Sequence, residues 1–118
     1  MRQLKFRVWI TPWGSDAEPS MHYIPDLHLH SFFHQWELGG CKDAIFQQYT
    51  GLKDKNGKEI YEGDIISGEF YDTEYHHAET IKHEVVFNNG AYNIASSNWH
   101  KPTLEIIGNI FEAPELLK

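Results

Sequence analysis

Turn-forming residues recur so often after residue 45 that they limit what this chain can fold into. Asn56-Gly57, Gly63-Asp64 and Asn89-Gly90 each favour a tight turn, because asparagine and glycine tolerate a positive φ angle. The apolar segments between these turns are short, and no long amphipathic helix is indicated. Short strands joined by turns are typical of a small β-barrel. The sequence therefore predicts a mainly β fold.

Alternating apolar residues predict the individual strands. The pattern predicts a first strand over 4–9, a short strand within 21–24, and a hairpin with strands at 46–52 and 58–61. A strand from Ile65 to Phe70 or Tyr71 follows, then an acidic loop through Ala78. We predict a second hairpin around Asn88-Asn89-Gly90, with strands within 81–87 and 92–95. A last strand spans 104–111, with Gly108 as a bulge or close backbone approach and a C-terminal turn at Pro114.

These elements divide the chain into two parts. Residues 1–44 hold the first strand and an irregular extension rich in histidine and tryptophan, and residues 45–118 form an SH3-like, partly open barrel. Packing of both parts as one unit stays an alternative. The structure of residues 10–44 is not fixed by the pattern, because strand and short helix are equally compatible with 26–40.

Size and composition bound the class of protein. A chain of 118 residues and 13.8 kDa is one domain of ordinary size and needs no disulfide to hold a core. Its only cysteine, Cys41, fits a passive thiol better than a nucleophile. No apolar run has the length of a membrane span or signal peptide, so we expect a cytoplasmic protein.

The negative charge lies in the second half. The net charge is −7: residues 1–59 hold seven basic and seven acidic side chains, whereas residues 60–118 hold three and ten. Seven of those ten acids fall within 23 residues that contain one lysine, Lys82: Glu62, Asp64, Glu69, Asp72, Glu74, Glu79 and Glu84. An acidic chain is a poor general binder of phosphate. Nucleic acid is therefore a possible but disfavoured partner.

Three sequence blocks resemble one family. They are Lys5-Phe-Arg-Val-Trp, the long block Tyr49-Thr-Gly-Leu-Lys-Asp-Lys-Asn-Gly-Lys-Glu-Ile-Tyr-Glu-Gly-Asp-Ile-Ile, and Glu105-Ile-Ile-Gly-Asn-Ile-Phe-Glu-Ala-Pro-Glu-Leu-Leu. Together they resemble the YopX-like proteins of phages and prophages. One departure is Ile10, which follows Trp9 where the family commonly has an acidic residue.

The resemblance implies a fold and a biological context. It implies a β-rich protein with a C-terminal SH3-like barrel, encoded by a phage or prophage, in a family without an established biochemical activity. The cytoplasm expected above is then the cytosol of a bacterial host. No catalytic residue transfers. The shared residues are turn and strand residues, which preserve a fold more obviously than a reaction: Gly51, Asn56, Gly57, Tyr61, Gly63, Asp64, Gly108, Asn109 and Pro114.

Histidines are the candidate metal ligands. His28 and His30 share a face if they lie on a strand, and His34 follows at a distance that could close a site. A second candidate pair, His76 and His77, lies among acidic residues. The absence of a matching cysteine or carboxylate motif favours a solvated surface at both places, and we expect no cofactor.

Basic and aromatic residues near the N-terminus are the candidate nucleic-acid contacts. Lys5, Arg7 and Trp9 alternate along the first strand, where exposed aromatic rings can stack on bases. The same rings also suit a core or a contact between subunits.

We therefore predict a non-enzymatic interaction module that self-associates and binds a host or phage protein, without contact to a membrane. Two alternatives are a nucleic-acid-binding small barrel, and a metal-binding protein or metal-dependent hydrolase that uses the histidines.

Overall fold

The computed structural model describes residues 5–14, 18–24 and 41–117. Two compact units divide the chain, Met1–Tyr49 and Thr50–Lys118. The described residues form nine strands and three 3₁₀ helices. The strands are β1 (Phe6–Thr11), β2 (Ser20–Ile24), β3 (Asp43–Lys53), β4 (Glu59–Tyr61), β5 (Asp64–Asp72), β6 (His77–Glu84), β7 (Phe87–Asn88), β8 (Ala91–Tyr92) and β9 (Glu105–Asn109).

The first unit is built on an antiparallel sheet in which β1 lies between β2 and β3. Val8 is opposite His22 on one side and Phe46 on the other. Because successive side chains alternate between faces, Val8 and Ile10 lie on the same face and form a small buried cluster with Ile24. The strand predicted over 4–9 exists and lies two residues further along the chain.

Strand β3 continues into the second unit, where β4 is its neighbour. Residues 54–58 connect the two strands, with Gly57 at a φ of 81°. This is the hairpin that the Asn56-Gly57 pair predicts, and it is confirmed.

The second unit contains an antiparallel sheet of strand order β6-β5-β9. Ile65 is opposite Gly108 and Ile66 is opposite Ile106, so Ile107 is an extra residue on β9. This is the β-bulge predicted at this end of the chain, displaced by one residue from Gly108. Gly108 itself provides a close approach, since a Cβ atom there would lie 2.7 Å from Leu116 Cδ1.

The core of the second unit is larger than that of the first. It is formed from β4, β5, the segment 85–99 and the residue before β9, and its buried members are Ile60, Ile66, Val85, Tyr92, Ile94, Trp99 and Leu104. The predicted C-terminal turn is confirmed as a 3₁₀ helix, Pro114–Leu117. No helix in the described ranges is long and apolar enough to cross a membrane.

One predicted hairpin is wrong in extent. Asn89 and Gly90 form the expected turn, with φ angles of 53° and 84°, but β7 and β8 are two residues each. Ile81 belongs to β6, which pairs with β5 instead. The acidic loop is also shorter than predicted, since β6 begins at His77.

The Asn93 side chain gives the physical reason why this hairpin is short. Its Oδ1 accepts hydrogen bonds from the N–H groups of Val86 at 3.1 Å and Ile94 at 3.0 Å. Side-chain bonds of this kind compete with a strand ladder. After Asn93 the chain forms a 3₁₀ helix, Asn93–Ala95, in place of the predicted strand.

The prediction of a mainly β fold with a small, partly open barrel is confirmed: the fold is mainly β, with a curled half-barrel sheet.

Candidate functional site

The β5–β6 hairpin is the candidate site, because it combines exposed aromatic rings, acidic side chains and an edge strand. β5 is buried along its first half and exposed towards its end. β6 pairs with it from Ile65–Glu84 to Asp72–His77. One face of the hairpin packs on the core through Ile66 and Phe70, while Ser67, Glu69 and Tyr71 lie on the opposite face.

The outer half of β5 is fixed by the segment that contains Asn98 and Trp99. Phe70 packs edge-on against Trp99, with 5.1 Å between ring centroids. The Tyr71 N–H donates to the Asn98 carbonyl at 2.8 Å, and Asn98 Nδ2 donates to the Tyr71 carbonyl at 2.8 Å. These contacts hold the hairpin in place while the Tyr71 side chain stays 43% exposed.

The turn of the hairpin is shaped by Asp72. Its Oδ1 accepts the N–H groups of Glu74 at 2.8 Å and Tyr75 at 3.2 Å, as in an Asx turn. His76 has a φ of 55°. Tyr75 is 68% exposed, and its ring centroid lies 6.5 Å from that of His77. The turn therefore presents an aromatic side chain to solvent on a locally ordered backbone.

β6 is the edge strand of its sheet. Residues 77–80 and 82–83 are exposed, whereas Ile81 and Glu84 are half-buried. Ile81 packs against the core of the second unit, and the C-terminal 3₁₀ helix lies near this strand. An edge strand presents backbone N–H and C=O groups that can pair with another strand.

A polar groove of about 370 Å³ lies on the outer face of the hairpin. Its charged side chains have polar partners: Lys55 Nζ lies 3.6 Å from Glu105 Oε2, and Glu69 Oε2 lies 3.2 Å from His100 Nδ1. The remaining lining is mainly hydroxyl and backbone: Ser67, Gly68, Thr80, Pro102 and Thr103. The groove can therefore bind a polar group by hydrogen bonding, and it has no strong net charge.

The acidic patch predicted from the sequence is dispersed. Asp64 is buried, and its Oδ2 accepts the Tyr61 N–H at 2.8 Å. Glu79 Oε2 lies 3.8 Å from His77 Nε2 on the exposed edge. With Glu69 beside His100 and Asp72 in the turn, these carboxylates serve different local contacts.

The candidate metal ligands are distributed as follows. His28, His30 and His34 lie outside the described residues. His76 and His77 are at the β5–β6 turn, and among the residues that the structure describes no three His, Cys, Asp or Glu side chains are grouped to hold a metal ion.

The candidate nucleic-acid contacts lie in and beside β1. Arg7 is only 2% exposed, and its Nε donates to Gln47 Oε1 at 2.6 Å. Lys5 Nζ lies 5.6 Å from the centroid of the Tyr49 ring, a cation–π contact. Trp9 is half-buried. The buried Arg7 guanidinium therefore has no surface to offer a phosphate in this conformation.

The family-signature residues lie at turns, bulges and strand ends. Gly51 and Gly63 have φ angles of 88° and 85°, and Tyr61 is buried at the end of β4. Asn109 Oδ1 accepts the N–H groups of Phe111 at 3.0 Å and Glu112 at 2.9 Å after β9. These residues determine the path of the backbone.

Sequence reasoning missed one buried carboxylate, that of Asp54. Its Oδ1 accepts the N–H groups of Asn56 and Lys58, both at 2.9 Å, and its Oδ2 accepts that of Ile106 at 3.0 Å. Burial alone raises the pKa of Asp54. The three hydrogen bonds and the Lys58 charge outweigh burial, so the pKa lies below its ordinary value of 3.8. The sequence feature that could have indicated this role is the position of Asp54, an aspartate two residues before the Asn56-Gly57 turn.

Lys101, like Asp54, is a charged residue whose side chain hydrogen-bonds to backbone atoms. Its Nζ donates to the carbonyls of Ser96 at 2.5 Å and Trp99 at 3.2 Å. Burial lowers the pKa of this ammonium group. Lys101 therefore stabilises the bend 96–99, which in turn supports Phe70 and Tyr71.

These features define a small β protein whose polar buried groups stabilise turns and whose exposed hairpin is available for contact. The chain belongs to the YopX protein family, whose model matches residues 14–118. The match extends well beyond the three blocks quoted above and begins after the first of them. No curated protein matches the sequence.

A solved structure has a similar fold. The chain is 24% identical to protein EF1440 from Enterococcus faecalis, whose crystal structure it matches over 100% of both chains with a TM-score of 0.53. At this identity the likeness shows the fold alone.

Proposed function

We propose that this protein is a non-enzymatic interaction module that self-associates and binds a further macromolecule in the bacterial cytosol. The observation that carries the proposal is β6, an eight-residue edge strand with six exposed residues. Addition of a strand to an exposed edge is a common mode of protein recognition, in which backbone hydrogen bonds provide the affinity.

Exposed aromatic residues beside β6 support the same proposal. Tyr71 and Tyr75 are held on an ordered hairpin yet remain accessible. Tyrosine is enriched in protein interfaces because its ring covers a large area and its hydroxyl can still hydrogen-bond.

The chemistry of the buried carboxylates supports the non-enzymatic part. Asp54 and Asp64 both accept backbone N–H groups, and the pKa of Asp54 is lowered. A general acid or base needs a pKa near the working pH. A carboxylate stabilised in its charged form at a turn suits a structural role.

Size-exclusion chromatography with light scattering tests self-association. The full chain is measured from about 10 to about 500 μM protein. The buffer contains about 150 mM salt, because salt screens the repulsion between copies of net charge −7. The expected result is a mass that rises with concentration towards a multiple of 13.8 kDa. A constant monomer mass over this range contradicts the proposal.

Two further measurements separate the alternatives. Fluorescence anisotropy with single- and double-stranded oligonucleotides at low salt is expected to show no binding at micromolar protein, and binding would favour the nucleic-acid alternative. Zinc or manganese is expected to leave the melting temperature unchanged, and a rise would favour the metal alternative.

A further inference from the structure

We propose that two copies of the chain pair through β6 in one register, with Ile81 opposite the partner's Ile81. This inference rests on the proposed self-association and specifies the surface and the alignment. β6 is at the edge of the β6-β5-β9 sheet, so pairing with a second copy would continue one sheet across both chains.

Symmetry restricts the possible registers. Two equal antiparallel edge strands are related by a two-fold axis perpendicular to the sheet, and directly opposite side chains then lie on the same face. Because the faces alternate along β6, an odd-numbered residue of one copy faces an odd-numbered residue of the other. The symmetric registers within the strand are therefore those centred on a single residue.

Charge excludes two of the central registers. A pair centred on Glu79 places two carboxylates directly opposite each other, and a pair centred on Lys82 does the same with two ammonium groups. Like charges directly opposite on neighbouring strands are destabilising. A pair centred on Thr80 avoids this, but it places Glu79 opposite the partner's Ile81, where the carboxylate has no polar side chain directly opposite it.

The register centred on Ile81 is the complementary one. It places Glu79 opposite the partner's His83 on both sides of the two-fold axis. His83 Nδ1 already contacts the Glu84 carbonyl at 2.7 Å and Asn93 Nδ2 at 3.1 Å, so Nε2 is the ring atom that would hydrogen-bond to Glu79. The remaining opposite pairs combine Thr80 with the partner's Lys82 and Ala78 with the partner's Glu84. No like charges are directly opposed, and seven residues of each strand take part.

The core-facing side of β6 favours the same centre. Ile81 is opposite Gly68 on β5, and it packs against the cluster that contains Leu104. Pairing at Ile81 would bring two half-buried isoleucines together at the middle of the new contact. This would remove apolar surface from water next to an existing core.

Glu79→Lys tests the surface. This exposed substitution would place a lysine opposite the partner's His83 at two symmetric positions and is expected to weaken dimerisation about ten-fold. The matched control is Glu74→Lys, which makes the same change in net charge outside β6. Because a lower net charge reduces repulsion between copies, the control is expected to dimerise as well as the native chain or better.

Disulfide trapping tests the register. In a Cys41→Ser background, Ile81→Cys is expected to cross-link under mild oxidation several-fold faster than Thr80→Cys or Lys82→Cys, since opposite Cα atoms in a ladder lie within disulfide reach. Fastest trapping at Thr80→Cys or Lys82→Cys overturns this register.

A failure of the β6 pairing can be distinguished from a failure of the proposed self-association. A native chain that stays monomeric at every concentration overturns self-association and the β6 pairing together. A native dimer that Glu79→Lys leaves as tight as Glu74→Lys does overturns the β6 pairing alone, and self-association then stands on another surface.

Discussion

The Asp54 carboxylate accepts the backbone N–H of Ile106 at 3.0 Å, across 52 positions of the sequence. Its other oxygen closes the turn between β3 and β4 through Asn56 and Lys58. The Lys55 N–H donates to the Leu104 carbonyl at 2.7 Å beside it. One buried side chain thus joins the central turn of the second unit to its last strand.

Asp54→Asn is expected to lower the free energy of unfolding by about 1–3 kcal/mol, because the amide can present only one oxygen and leaves one backbone N–H without an acceptor. Urea denaturation at pH 7 measures the loss. Asp43→Asn is the matched control, since that residue is exposed and its carboxylate accepts the neighbouring Ala44 N–H rather than a distant one. Equal effects of the two substitutions would mean that the Ile106 contact contributes nothing.

Asp54 also makes stability depend on pH. The pKa of Asp54 is lower in the folded chain than in the unfolded chain. The contribution of Asp54 to the free energy of unfolding is therefore fully present above pH 3.8, its ordinary pKa. The contribution is lost as the pH falls through the folded pKa. We expect the native chain to lose stability between about pH 5 and pH 2 more steeply than Asp54→Asn does. Urea midpoints across this range measure the difference, and parallel curves for the two proteins would contradict the assignment.

The local parts of the fold could be predicted from the sequence, and the pairing of distant parts could not. Asn56-Gly57 and Asn89-Gly90 are turns because the φ preference of these residues is local. Ile81 was predicted in the wrong hairpin, because alternation identifies a strand but not its partner. Its actual partner is Gly68, which also lies close to Leu104, and such contacts between distant residues leave no mark on the local pattern.

The candidate site shows the same division. The sequence identified the acidic composition of 62–84, but it could not indicate that Asp64 is buried while Glu79 lies on an edge. Which strand forms an edge depends on the order of strands in the sheet. The role of Asp54 was missed because its third hydrogen bond comes from Ile106, and a local sequence pattern cannot predict a donor 52 positions away.

Two glycines provide a test of packing at β5 and β9. A Cβ atom at Gly68 would lie 2.9 Å from Leu104 Cδ2 and 3.5 Å from Leu104 Cα. At Gly108 it would lie 2.7 Å from Leu116 Cδ1. Leu104 is buried with its backbone close to Gly68, whereas Leu116 is only half-buried, so its Cδ1 atom can rotate away at lower cost.

We therefore expect Gly68→Ala to destabilise the fold by about 2–3 kcal/mol and Gly108→Ala by about 1 kcal/mol, although the second contact is the shorter. Thermal and urea denaturation give both values. In a Leu116→Ala background, the cost of Gly108→Ala is expected to fall towards zero, because the obstructing methyl group is gone. An unchanged cost in that background would assign the effect to the backbone.

Asn93 provides the last test, because its amide has two distinct roles. Oδ1 accepts the N–H groups of Val86 and Ile94, and Nδ2 donates to the Glu84 carbonyl at 2.8 Å. Asn93→Asp keeps the acceptor and replaces the donor by a carboxylate oxygen that faces a carbonyl.

We expect Asn93→Asp to cost about 2 kcal/mol at pH 7.5, because a carboxylate oxygen then faces the Glu84 carbonyl where the native amide donates a hydrogen bond. Since His83 Nδ1 also lies 3.1 Å from Asn93 Nδ2, the substitution is made in a His83→Ala background, which leaves the Glu84 carbonyl as the partner under test. Urea denaturation measures the free energy of unfolding of both proteins. Asn88→Asp, at an exposed position in β7, is the control and is expected to cost much less in the same background. If Asn93→Asp costs no more than Asn88→Asp, the Nδ2 contact does not stabilise this bend.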